Sequence, residues 1–85
     1  MVTFLDEMLR SDRGLRVEEI PVAARHAGKQ LGEVVSAGPD HILIALRSGG
    51  RWRFNPGESL VLAGGEVVVA MATPDGRKAL EAQFA

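Results

Sequence analysis

The sequence contains no cysteine. That excludes disulfide staples and thiolate metal sites, and it fits a reducing compartment. Long apolar runs are also missing. The longest, residues 67–72, is far short of the roughly 20 residues a helix needs to cross a bilayer. The first residues reach Asp6 and Glu7 before an apolar stretch can form, so they do not read as a secretory signal. Neither sign of charge dominates. Ten basic and eleven acidic residues leave a formal net charge of −1, and the basic ones form no run, so the broad positive field of a general nucleic-acid binder is absent.

Several chemical signatures are lacking as well. No glycine run leads into Lys-Ser or Lys-Thr, which excludes a P-loop. The Gly64-Gly65 pair opens a strand pattern instead of a helix, so it is not a dinucleotide fingerprint. The two histidines, His26 and His41, have no carboxylate at ligand spacing, and the serines have no base nearby in sequence. No enzyme is expected.

What remains is the pattern of a small folded domain. With 85 residues, 46% hydrophobic and 25% charged, the chain has material for one core. Residues 2–10 place Val2, Leu5 and Leu9 at helical spacing, with Phe4 and Met8 beside them. After a break at 11–14, residues 15–22 alternate as a strand, which Pro21 confines to an edge or an end. Residues 27–35 read as a helix weakened by Gly28 and Gly32. Strands follow at 41–48, 51–55, 59–62 and 66–72, separated by glycine turns. Thr73-Pro74 then starts a helix over about 75–83, with Ala79 and Leu80 expected to face inward.

The hairpin can be read in register. Gly49-Gly50 suits a two-residue turn that needs positive φ at both positions. It sets Ser48 opposite Arg51, Arg47 opposite Trp52, and Ala45 opposite Phe54. Strict alternation puts Leu43, Ala45, Trp52 and Phe54 on one face, and Ile42, Ile44 and Leu46 with Arg51 and Arg53 on the other. Trp52 and Phe54 are expected in the core with the arginines solvated, because separating charge from rings argues against base stacking. Strand 67–72 is apolar on both sides, so two short helices covering one face would leave the other to a second copy or another lobe. An interaction domain is the expected class.

In order, the stretches "LRVEEIPV" (15–22), "AGKQLGEV" (27–34), "ILIALRSGGRWRFNP" (42–56) and "LVLAGGEVVVAMATPDGRKALE" (60–81) resemble the C-terminal lobe of the RCK domain, also called TrkA-C. The similarity covers nearly the whole chain, and residues 1–14 look like the crossover helix and linker between two RCK lobes, with the regulatory domain at 15–85. The resemblance implies an α+β fold: a small, mainly antiparallel sheet with two short helices packed on it, preceded by the crossover helix. It implies a non-catalytic cytoplasmic module that pairs as a homodimer. The module would gate a potassium channel or transporter through a Rossmann-type N-lobe and a membrane pore. The expected ligand edge is Pro39, Asp40, His41 and Ile42, and the expected dimer interface is Ile42, Ile44 and Leu46.

Some members of that family bind cyclic di-AMP or a cation at the interface. Here Glu66 stands for the usual aspartate and Ala72 for a common glycine. "VSAGPDH" (35–41) is one residue short and lacks the arginine and aromatic of many members. No cofactor is therefore assigned, with cyclic di-AMP or a cation left open by the resemblance alone, and the charge balance assigns no nucleic-acid partner. Two other classes fit parts of the sequence. A single-strand nucleic-acid binder would use Trp52 and Phe54. A lipoyl- or biotinyl-type carrier would need a lysine at a hairpin tip, whereas Lys29 and Lys78 fall on expected helices.

Overall fold

A computed structural model describes residues 15–36 and 38–85; the expected helix at 2–10 lies outside them. The elements are β1 (Arg16–Pro21), a 3₁₀ turn (Ala24–His26), α1 (Leu31–Val34), β2 (His41–Ser48), β3 (Arg51–Phe54), β4 (Val67–Ala72) and α2 (Pro74–Phe84). The four strands form one antiparallel sheet in the order β1-β4-β2-β3. The apolar strand β4 is therefore central, and the polar strands β1 and β3 are the edges. This is the α+β architecture expected from the sequence.

The β2–β3 hairpin forms in the expected register, turning on Gly49 and Gly50 with φ of 56° and 81°. One irregularity reorganises its faces. Between Leu43 and Ala45 the pairing of β2 with β4 slips by one residue, a bulge in which Ile44 is extra. Its carbonyl accepts a 2.8 Å hydrogen bond from the Asn55 amide, and Asn55 adopts positive φ just past β3.

Because paired residues share a face, Leu43 opposite Ala70 and Leu46 opposite Val68 point to one side, while Ile42 opposite Met71 and Ala45 opposite Val69 point to the other. Leu43 thus leaves the face that strict alternation gave it. The trio Ile42, Ile44 and Leu46 is also split, since Leu46 lies in the core at 4% exposure.

The covered face carries Ile20, Leu46, Val68, Ala70 and Ala72 against Leu31, Val35, Leu62, Leu80 and Phe84. The first helical stretch is shorter than the expected 27–35. Gly28 at φ 84° breaks it, leaving the single turn of α1, with the 3₁₀ turn lying before residue 27. The expected strand at 59–62 is reduced to one bridge, Gln30 with Val61, reinforced by the Leu31 amide on the Leu60 carbonyl at 2.7 Å and the Leu62 amide on the Lys29 carbonyl at 2.8 Å. These two segments form a second thin layer over the sheet.

Helix α2 begins as expected. Thr73 caps it by accepting from the Gly76 amide at 3.1 Å, and Pro74 occupies the first turn. Its buried side chains are Leu80 and Phe84, four residues apart; Ala79 is exposed, contrary to expectation.

Candidate interaction surface and ligand groove

Among the described residues, no helix lies over the second face of the sheet. Val17, Ile42, Trp52 and Phe54 stand exposed there, Trp52 at 49% and Phe54 at 72%. The two rings are not core residues, which corrects the expectation from composition. β3 is an edge strand paired only with β2, and hydrophobicity alone does not report that the layer covering its neighbours stops short of it.

The rings stack on each other with centroids 6.2 Å apart and planes 9° apart. Arg47, opposite Trp52 on β2, lies over the indole at 5.4 Å and reaches Glu19 on β1 at 3.2 Å. Arg51 and Arg53 point to the other face, as alternation requires, but Arg47 brings one cation to the rings. Aromatic stacking contributes about 0.5–1.5 kcal/mol and an exposed cation–π pair about 0.5–1 kcal/mol, so the platform holds its shape without a covering layer.

At the start of β2, His41, Ile42 and Leu43 border a groove of about 230 Å³, closed on its other side by Leu31, Val35, Pro56 and Glu58. Of the four residues expected at the ligand edge, His41 and Ile42 line this groove; Pro39 and Asp40 form the turn that leads into it. The Asp40 carbonyl accepts from the Thr73 amide at 3.0 Å and from the Thr73 hydroxyl at 3.5 Å. Gly76 packs against the same peptide so closely that a Cβ would enter it. The turn before His41 is thereby fixed to the first turn of α2. Ile42, 48% exposed, stands where the groove meets the open face.

The other histidine is structural in its setting. His26 is buried, with Nε2 3.1 Å from the Ala85 carbonyl oxygen, and Arg25 donates to that oxygen at 2.7 Å. Among the described residues no group of three His, Cys, Asp or Glu side chains is placed to hold a metal, and no helix is long and apolar enough to cross a membrane. The site offers apolar contact, stacking and a few polar groups, which is equipment for binding.

The fold matches solved structures along almost its full length. The RCK C domain of the potassium transport protein KtrA, determined in complex with cyclic diadenosine monophosphate, aligns with a TM-score of 0.75 and 13% identity over 96% of this chain and 98% of that one. The GsuK channel bound to NAD aligns with a TM-score of 0.69 and 20% identity, covering 98% of this chain and 16% of the channel chain. The GsuK RCK domain gives a TM-score of 0.62 and 17% identity over 96% of this chain and 18% of that one. No protein-family model matches the sequence, and no curated protein does. The chain therefore has the fold of the RCK C-terminal lobe.

Proposed function

We propose that this chain is the C-terminal lobe of a regulator of potassium conductance, a non-catalytic cytoplasmic module that senses a ligand and acts by pairing with a second copy. The observation that carries the reading is the near-complete reciprocal coverage of the KtrA C domain, 96% of one chain and 98% of the other. In the GsuK channel the corresponding lobe is a minor part of the chain. The Rossmann-type N-lobe and membrane pore of such an assembly would lie outside these 85 residues.

The open sheet face is the pairing surface in this reading, carried by Ile42, Trp52 and Phe54. Leu46, one of the residues first expected there, belongs to the core, and the lower half of β2 contributes through Arg47 instead. Four strands about 4.8 Å apart and roughly 20 Å long bound the face at about 400 Å² per partner, and Ala45 and Met71 within it are already buried. Stable interfaces bury about 800 Å² per partner, so face-to-face pairing of the sheet alone is weak and concentration-dependent. Weak pairing is what a ligand can control: occupancy of the groove at His41 shifts the balance between two arrangements by its differential affinity for them. A small ligand contacting His41 and Ile42 fits that groove. Cyclic di-AMP is one candidate, although the shortened 35–41 segment offers no arginine for its phosphates.

Sedimentation over a range of concentrations tests the reading, with Trp52 as an internal reporter. Self-association and a blue shift of the tryptophan emission should rise together, and Phe54→Ser should suppress both. A chain that stays monomeric at high concentration, with its emission unshifted, defeats the proposal.

A further inference from the structure

Glu66, just before β4, is 3% exposed. Its Oε2 accepts from the Ala63 amide at 2.6 Å, while its Oε1, equally buried, has no hydrogen-bond partner among the described residues. A carboxylate half satisfied in the interior is costly, and such groups are ordinarily fully bonded. Glu66 continues the sheet beyond β4, since the Val22 amide donates to its carbonyl at 2.8 Å. It lines a cleft of about 710 Å³ between the β2–β3 hairpin and residues 55–63, which adjoins the groove at His41 through Pro56.

The same cleft holds a guanidinium. Arg53 pairs with Leu46, which places it on the covered face, and it extends into a part of that face that the upper layer leaves open. It has no ion-pair partner among the described residues. Ser48 and Ser59 also line the cleft, and Leu46, Leu60 and Val61 add apolar lining. Two strand spacings and two residue rises separate the backbones of Glu66 and Arg53, about 12 Å. A small molecule between the two side chains can bridge that distance. The volume lies within the range of about 300–1,000 Å³ typical of small-molecule sites.

A lone cation would meet the Arg53 charge, and a lone anion would meet the buried carboxylate. We propose that this cleft binds a small zwitterion of the apolar α-amino-acid class. Its ammonium group faces the Glu66 carboxylate, its carboxylate bonds to Arg53, and its side chain lies on Leu46, Leu60 and Val61. The cleft shares Phe54 with the proposed pairing face and Pro56 with the groove, but its test depends on neither proposal.

Isotope-labelled protein titrated with leucine, valine or methionine is expected to show saturable shifts of the Ser48, Ser59 and Ala63 amides. N-acetyl-leucine lacks the ammonium and leucine methyl ester lacks the carboxylate; each should bind at least about tenfold more weakly, the loss of one charge-assisted hydrogen bond. Arg53→Ala changes only an exposed side chain and should weaken leucine by a similar factor, as should Glu66→Gln if that variant folds. The absence of any shift up to about 10 mM leucine overturns the proposal. Binding of either blocked analogue as tight as that of leucine, wild-type affinity in Arg53→Ala, or the same shifts from sodium chloride alone would each do so too.

Discussion

Gly76→Ala tests the joint between α2 and the turn that leads into the ligand groove. Gly76 is the third residue of α2, where alanine would ordinarily be favoured over glycine by about 1 kcal/mol. Here a Cβ would fall inside van der Waals contact with the Asp40 carbonyl oxygen, 2.8 Å from its carbonyl carbon and 3.0 Å from its Cβ. Most of what it meets is backbone, so no side chain can rotate away to relieve the contact. Either the 39–40 turn moves or the helix start does. Both disturb the bond from the Thr73 amide to Asp40, 3.0 Å long. Overpacking costs about 1–3 kcal/mol and the weakened hydrogen bond about 1 kcal/mol, against the propensity gain of about 1 kcal/mol. The net loss is about 1–3 kcal/mol, which in a domain this small lowers Tm by roughly 5–20 °C. Thermal unfolding followed by far-UV circular dichroism measures it, and urea denaturation should show a lower midpoint at unchanged slope. A variant as stable as the parent refutes the close approach and, with it, the idea that α2 fixes the turn before His41.

Two further perturbations separate the cap from the core. Thr73→Ala removes the acceptor for the Gly76 amide and the weaker donor to Asp40, and should cost about 1 kcal/mol by urea denaturation. Combined with Gly76→Ala it should cost less than the sum, because both act on the Asp40 carbonyl. Leu80→Ala empties a position with no solvent exposure, at about 2–5 kcal/mol. With a total stability of about 4–13 kcal/mol for a chain of this length, that is a large share of it, and a variant losing under 1 kcal/mol would refute Leu80 as the anchor of α2.

How far the sequence reveals this fold depends on how local each determinant is. The hairpin register follows from two adjacent glycines and their φ requirement, and it is legible from residues 49–50 alone. The cap at Thr73-Pro74 is equally local. The bulge is not. It depends on the Asn55 amide reaching Ile44 and on β4 pairing with β2 some 25 residues later in the chain, so alternation counted along β2 gives the wrong partner for Leu43. The helical pattern at 27–35 fails for a related reason. Gly28 takes φ 84° where its amide donates to the Leu62 carbonyl at 2.8 Å, a tertiary contact that periodicity cannot register. Phe84 escapes notice because it falls one residue beyond the expected helix end, yet it is fully buried. Exposure of Trp52 and Phe54 becomes visible only once β3 is known to be an edge. Glu66 could have been singled out as an acid flanking a glycine turn, but not as half satisfied.

The bulge also bears on how the proposed sensing and pairing would be linked. Without it, Ile42 would share a face with Leu46 and be drawn under the covering layer, and the groove at His41 would have no residue on the open side. With it, Ile42 stands beside Met71 on the open face while its neighbours His41 and Leu43 pair across to Ala72 and Ala70 on the covered one. One short stretch of strand therefore contacts the groove from one side and the proposed partner from the other. Coupling of about 1–3 kcal/mol, the usual scale between two sites, then needs no long chain of intermediates. A ligand that shifts the first two residues of β2 alters the surface available for pairing directly. Because the face is small, a change of that size is enough to move the chain between mostly single and mostly paired.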